Sequence, residues 1–428
     1  MIKIDLSVRR PRRRHDIVIR MVRALLLVLV LGIAGACGPA TLRQWEDSKS
    51  YPLLTGPYVV LTGPQRAMIG FRIGGSAEAV VEWTADSGAH GTQPARRDDD
   101  FYTAALDGLP RGPLITYQVK IASSVMGEGT FRVGPAPGET KLRFAVFGDT
   151  RTNHQVHRAV IEPLAREKLD FYLHTGDMVE HGGKDDLWIT FFQIERPLMM
   201  KTPVFPSIGN HDLGNRGYYI HQFFLDRWND DENYYAYDWG NVRLIALDLG
   251  IVCQRLCAQY EFVERKLAEG AKNGMIMILF MHNPPYSSGA HGSDLQLQPV
   301  IKELAKTYGV ELVVTGHDHD YERSKSIDGT TYIVSGSAGA PIRPIRPQSF
   351  TAAARTEPHY VLVDVDGDTL SVRAVNLRNE VFDHVTIPLN PPGGRVTPPV
   401  DSAPPAGNPT NPITDPTTPN GPVIPPEK

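Results

Sequence analysis

Five short segments between Asp149 and His319 bring together residue types that hold metal ions. They are Gly148-Asp149, Gly176-Asp177, Gly209-Asn-His-Asp212, Met281-His282-Asn-Pro284 and Gly316-His-Asp-His319. Each follows a short apolar run: Leu142–Asp149, Phe171–Asp177, Val204–Ile208, Met275–His282 and Val310–His319. In an α/β sheet, ligands collect beyond the carboxyl ends of the strands, which is where these residues fall. Glycine beside a donor lets the backbone turn sharply and approach closely. His317 and His319 are two apart, so an extended backbone points both imidazoles to one side. A Gly-Asp at a strand end is ordinarily only a turn, and His-x-His alone is a weak signal. Five such segments, in order and each at a strand end, point to a metal centre.

Longer stretches around these segments carry a family resemblance. Gly316-His-Asp-His-Asp-Tyr-Glu-Arg323, Met281-His-Asn-Pro-Pro-Tyr286 and Tyr234-Tyr-Ala-Tyr-Asp-Trp-Gly-Asn241 are similar to the calcineurin-like metallophosphoesterases, and most to their purple acid phosphatase branch. The resemblance covers roughly residues 50–390. It implies that Asp149 and His319 bind a first metal, that Asp177 bridges, and that Asn210, His282 and His317 complete a second site. Carboxylate and amide oxygens with imidazoles suit Fe, Zn or Mn, as two divalent or mixed-valence ions. Two cations about 3.5–4 Å apart would clamp phosphoryl oxygens and lower the pKa of bound water, giving a hydroxide that attacks phosphorus in line. The resemblance further implies that His211 protonates the leaving alkoxide or contacts the phosphate, with Asp212 able to orient its imidazole. His291 matches a family histidine that handles substrate in the same cleft.

Two positions depart from the pattern. The branch has a tyrosine ligand three residues after the bridging aspartate, and this chain has Glu180 there, which predicts no purple colour. A histidine often stands two after the first aspartate in the superfamily, and here it is Arg151. The first site is thus short of a protein ligand, to be supplied by Glu180, Asn153 or water. Arg151 cannot bind metal, but its forked guanidinium suits a phosphate oxygen; the plainer reading makes it a charge partner for a site carboxylate.

The elements that must position these groups are legible from periodicity. From Tyr51 to about Pro137, Ile69, Phe71 and Ile73 alternate with Gly70 and Arg72. Tyr117, Val119 and Ile121 alternate with Gln118 and Lys120. Such alternation predicts antiparallel strands with one buried and one wet face, a β-sandwich over 51–137 that matches the fibronectin-III-like N-terminal domain of the branch. Over 138–390, apolar strands alternate with helical stretches at 185–196, 258–270 and 295–307. The expected fold class is α/β, a four-layer-type metallophosphoesterase core of β-sheets flanked by helices. A hairpin is expected over 359–376, turning at Asp366-Gly367. Residues 391–428 are Pro-, Thr- and Gly-rich and are expected to be disordered. His174 reads as a hydrogen-bonded core residue, and His154, His157, His181 and His221 as surface groups or neighbours of the site. Trp83 and Trp188 read as core aromatics.

Charge is uneven along the chain. Residues 1–23 carry eight Lys/Arg against Asp5 and Asp16, a local balance of +6 within a net charge of −4. Ala24–Leu31 is apolar, and Gly32-Ile-Ala-Gly-Ala-Cys37 runs small residues into a cysteine. That order predicts a signal peptide over 1–37 and resembles a bacterial lipoprotein signal, with Cys37 as the lipidated membrane anchor and 38–50 as a tether. Ala34 stands where Leu is more usual, and plain secretion or an uncleaved anchor are the alternatives. Met21 is a candidate for the true start. The expected location is the periplasm or cell surface. No basic patch suggests nucleic acid, and nothing in the sequence sets the oligomeric state. Cys253 and Cys257 are expected to form a small disulfide, which an exported chain permits. Hydrolysis of phosphomonoesters leads the functional readings. Phosphodiesterase action on nucleotides or lipid head groups follows, then a surface binding protein that keeps the fold without turnover.

Overall fold

Strands from Leu53 to Phe131 pair as two four-stranded antiparallel sheets in the computed structural model, which describes residues 51–226, 234–248, 257–367 and 369–389. The predicted leader with Cys37, the tether, Cys253 and the C-terminal tail lie outside the described residues. Cys257 is disulfide-bonded. Among the described residues, no helix is long and apolar enough to cross a membrane.

One sheet orders its strands His90–Pro94, Ala79–Ala85, Ile115–Ile121 and Ser124–Phe131. It keeps the predicted alternation: Val81, Tyr117, Val119 and Ile121 are buried, while Lys120 reaches outward to Glu82 at 2.5 Å across the strands. The other sheet, ordered Leu53–Gly63, Arg66–Ile73, Phe101–Leu106 and Arg96–Asp98, does not. Gly70 and Arg72, expected on a wet face, are buried together with Ile69, Phe71 and Ile73. The cause is a second covering layer. A helix at Asp185–Met199 packs on this sheet, stacking Phe192 against Tyr58 with ring centroids 4.6 Å apart. Arg72 crosses the junction, bonding Asp100 at 2.7 Å and Asp185 at 2.5 Å. Its own burial opposes the charge, but both carboxylates outweigh that and raise its pKa. Asp100 and Asp185 are themselves 31% and 47% exposed, so solvent screens what each contributes, and either one still answers the Arg72 charge if the other is removed.

Beyond residue 140 the chain builds two mixed sheets. The six-stranded sheet runs Val204–Pro206, Phe171–His174, Lys141–Phe147, His359–Asp366, Thr369–Asn376 and Val381–Pro388. Its first three strands are parallel, and the predicted 359–376 hairpin pairs antiparallel beside them. The seven-stranded sheet runs Tyr235–Trp239, Val242–Ala246, Ile276–Phe280, Leu312–Thr315, Thr331–Ser335, Tyr321–Ser324 and Thr351–Arg355. The four strands Val242–Ala246, Ile276–Phe280, Leu312–Thr315 and Thr331–Ser335 are parallel.

The longer helices are α1 (His154–Leu164), α2 (Asp185–Met199), α3 (Arg216–Gln222), α4 (Ala258–Lys272) and α5 (Leu297–Tyr308). The three predicted helices appear as α2, α4 and α5 within a few residues of their expected ends. Sequence periodicity did not reveal α1. Asn153 begins it, its side-chain oxygen accepting the amides of Gln155 and Val156, so this residue is committed to a helix cap rather than to a ligand.

His157 corrects another expectation, because it is a core residue between α1 and α2. Its Nε2 lies 2.7 Å from Glu195 Oε1, and Tyr172 donates to the other oxygen at 3.0 Å. Burial pushes Glu195 up to about 8 and His157 down to about 3, so both are uncharged near neutral pH. The buried carboxyl is satisfied by hydrogen bonds without a buried charge.

Candidate metal centre

The two mixed sheets contribute different donors to one place. Asp149, Asp177 and Asn210 follow strands of the six-stranded sheet, while His282, His317 and His319 follow strands of the seven-stranded sheet. Oxygen ligands therefore come from one sheet and nitrogen ligands from the other. Asp149, Asp177 and His282 bring ligand atoms within 4.8 Å of one another, all buried.

The backbone is bent hard to achieve this. Asp149, Asp177 and His317 have φ of 57°, 54° and 68°, a left-handed conformation that non-glycine residues rarely adopt. Such strain persists where surrounding structure overdetermines it, and it clusters at functional sites. Close approach explains two of the glycines. A Cβ on Gly209 would lie 2.1 Å from the Asp177 amide nitrogen, and one on Gly316 would lie 2.4 Å from Asp149 Oδ2.

Asn210, His282 and His317 form a tight triangle. Asn210 Oδ1 lies 3.1 Å from His282 Nε2 and 3.1 Å from His317 Nδ1, and the two nitrogens are 3.2 Å apart. Donor atoms about 2.1 Å from a common ion, at near-right angles, lie about 3 Å from each other, so the trio fits a metal. His282 Nδ1 donates to the Thr175 carbonyl at 2.8 Å, which leaves the Nε2 lone pair facing the triangle. Asp177 Oδ1 lies 3.4 Å from His282 Nε2. Burial and the neighbouring His282 and His291 hold His317 down at about 2, so its ring is neutral and free to ligate.

The other half is differently furnished. His319 Nδ1 donates to the Pro341 carbonyl at 2.8 Å, turning its Nε2 toward Asp149 Oδ1 at 3.6 Å. That Asp149 oxygen is buried with no hydrogen-bond partner, as expected of an atom waiting for a cation. Burial and the adjacent Asp177 push the Asp149 carboxyl well up. Arg151 occupies the neighbourhood. Its Nε lies 3.2 Å from Asp177 Oδ2, Nη1 lies 2.7 Å from Glu180 Oε2, and Nη2 lies 3.5 Å from His319 Nε2. Glu180 also accepts from Thr152 Oγ1 at 2.6 Å. Arg151 is thus a charge partner of site carboxylates, and Glu180 is held by protein donors.

His211 and Asp212 part company. The His211 amide donates to Asp177 Oδ1 at 3.0 Å, and its Nδ1 donates to the Glu180 carbonyl at 2.9 Å. Its Nε2 lies 3.9 Å from Asp177 Oδ2, on the centre. Asp212 does not orient this imidazole, contrary to expectation. It is fully buried and accepts the amides of Met178, Val179 and Gly209, pinning the Asp177 turn to the Asn210 turn. Burial and Asp177 push its carboxyl up to about 8.

His291 joins the cluster, its ring centroid 4.3 Å from that of His317. The residues that place it were missed in the sequence, although they alternate with the ligand histidines. Asp318 accepts the His291 and Gly292 amides at 2.7 and 3.1 Å and the Ser287 hydroxyl. Glu322 accepts the Ser288 amide and hydroxyl, both at 2.6 Å. Alternating acids after His-x-His were the available signal, although the segment is not the extended strand that the spacing suggested, because the backbone turns left-handed at His317. His174 is buried as expected, 3.2 Å from Thr150 Oγ1.

Residues 142–321 match the family described as calcineurin-like phosphoesterase. Among curated proteins, purple acid phosphatase 18 of Arabidopsis thaliana is 25% identical over 50% of this chain and 53% of its own length. The chain thus spans about half of that relative. Acid phosphatase type 7 of Homo sapiens is 23% identical over 82% of this chain and 92% of its own. Among solved structures, purple acid phosphatase PPD1 from yellow lupin, Lupinus luteus, superposes with a TM-score of 0.67 at 19% identity, covering 78% of this chain and 74% of that one. The chain has the α/β metallophosphoesterase fold, and its homologues include purple acid phosphatases.

Proposed function

We propose that this relative of the purple acid phosphatases hydrolyses phosphomonoesters at a centre of two metal ions, as an exported protein anchored through a lipid on Cys37. The observation that carries the hydrolytic reading is the Asn210–His282–His317 triangle, 3.1–3.2 Å on each side and joined to the buried Asp177. The support for export is the basic, apolar, small-residue order of residues 1–37. Asn210, His282, His317 and Asp177 would hold one ion, and Asp149, His319 and Asp177 the other. When bound, such ions supply Lewis acidity toward a phosphoryl group and a nucleophile usable at neutral pH.

The chain's own groups do the rest. The Glu180 carbonyl fixes the His211 ring, so Nε2 is the atom placed to pass a proton to a leaving alkoxide. Arg151, held by Asp177 and Glu180, keeps its charge at the edge of the centre, where a phosphate oxygen would arrive. His291 lies against His317, the ring centroids 4.3 Å apart and the planes tilted by 32°, so it stands where substrate bound at the centre would pass.

The test is purified protein assayed on 4-nitrophenyl phosphate and its diester counterpart, with and without chelator. Chelator-sensitive release from the monoester, at higher kcat/KM than from the diester, is the expected outcome. Preference for the diester would transfer the assignment to phosphodiesterases. Metal-loaded protein that turns over neither compound would leave only a binding role.

A further inference from the structure

Residues 341–347 read Pro-Ile-Arg-Pro-Ile-Arg-Pro, a tripeptide repeated along the rim of the metal centre. Proline fixes its own φ and holds the preceding residue extended, so Arg343 and Arg346 each sit in a stiff, extended setting. A polyproline-type chain has three residues per turn and rises about 3.1 Å per residue, which puts the two arginines on one edge about 9 Å apart. The hydrogen bonds show the same period. The Arg343 amide donates to the carbonyl of the ligand residue His319 at 3.3 Å, and the Arg346 amide donates to the carbonyl of Ser288 at 3.0 Å. Both ends of the strap are thereby tied to the framework that holds the histidines.

No carboxylate among the described residues holds either guanidinium, in contrast to the arginines that tie the fold together. Arg72, Arg243 and Arg323 are each held by a carboxylate. Among the described residues, Arg343 and Arg346 make no ion pair. Arg343 Nη1 instead meets Nε2 of His291, whose ring centroid lies 4.3 Å from that of His317. Arg346 is exposed. Two uncompensated guanidiniums on a stiff edge, the first of them at the metal centre, form a ladder for anions.

We infer that the Arg343–Arg346 edge is a second anion subsite, which selects phosphomonoesters carrying at least one further phosphate over simple monophosphates. This inference rests on the phosphoester reading of the metal centre. One phosphate is presented to the metal ligands, while another is held by the rim through paired N–H donors.

The experiment compares fructose 1,6-bisphosphate with fructose 6-phosphate, in wild type and in the Arg343→Gln/Arg346→Gln double variant. In wild type, kcat/KM for the bisphosphate exceeds that for the monophosphate by about tenfold, the scale of one charge-assisted contact, and the ratio shrinks as salt is raised. In the double variant the ratio falls close to one. Arg343→Lys/Arg346→Lys, which keeps the charge but loses the fork, recovers part of it, a response that a purely structural role would not give. A wild-type ratio of one, or a ratio untouched by the double glutamine change, overturns the subsite. Hydrolysis of 4-nitrophenyl phosphate reads the metal centre separately. If it is absent, the same ratio is measured by calorimetric binding of the two sugar phosphates, so failure of the centre and failure of the rim are distinguishable.

Discussion

At Asn210, His282 and His317 three donor atoms face one another across 3.1–3.2 Å, whereas the space between Asp149 and His319 is shared with the Arg151 guanidinium. Both halves use Asp177, and both use a buried histidine, His282 or His319, whose far nitrogen is tied to a backbone carbonyl. The difference is the resident charge. A guanidinium already neutralises part of the carboxylate field around Asp177, so an ion entering beside Asp149 gains less attraction and meets a like charge. The Asp149 half, with fewer protein ligands and a resident cation beside it, is therefore not expected to fill as readily as the Asn210 half.

The largest effect expected is at the group the halves share. Asp177→Asn should abolish tight metal binding in both and lower kcat by at least about a thousandfold, because it removes a charged oxygen from each site. Metal content by elemental analysis, measured with turnover, checks this; retained metal and near-normal turnover would break the bimetallic reading.

Next comes the contrast itself. Titrating metal-free protein with Mn or Zn should show one tight ion per chain and a second bound at least about tenfold more weakly. Arg151→Ala should narrow that gap by strengthening the weaker step, because the competing cation is gone. Calorimetry resolves the two steps, and two sites of equal affinity in wild type would erase the distinction.

A smaller effect is expected at Asp212, which joins the Asp177 turn to the Asn210 turn without touching substrate. Asp212→Ala leaves three buried amides without an acceptor and should cost about 2–4 kcal/mol of stability. It should weaken the Asn210 half more than the Asp149 half. Asp212→Asn, which keeps one acceptor oxygen, should recover part of both losses. Equal weakening of the two halves would show that the turn positions the whole centre instead.

Much of this was readable from the chain because the ligands stand immediately after apolar strands, where sequence order and spatial order coincide. The alternating strands of the sandwich and three of the longer helices were readable for the same reason. What escaped were partners remote in sequence. Nothing near His319 announces that the Pro341 carbonyl will fix its ring, and nothing near His211 announces the Glu180 carbonyl. Asp212 looked like a partner for its neighbour His211, but side chains one apart diverge, and its acceptors met amides of another turn. Helix α1 buries only His157, Val160, Ile161 and Leu164, a stripe that begins on a histidine and so carries a weak apolar signature. Arg72 failed as a wet-face residue because periodicity reports one covering layer and is silent about a second.

That second layer has a consequence for how the chain can be divided. The sheet bearing Arg66–Ile73 is a party wall: its inner face closes the sandwich, and its outer face closes the helical layer behind the metal centre. An excised sandwich would present Tyr58 and the Arg72 guanidinium to water along a raw apolar flank. The remaining fragment would lose the floor beneath Phe192. The sandwich is therefore a structural member of the body that carries the candidate metal centre and not an appended module, and a strand lost from the wall should be felt at both of its faces.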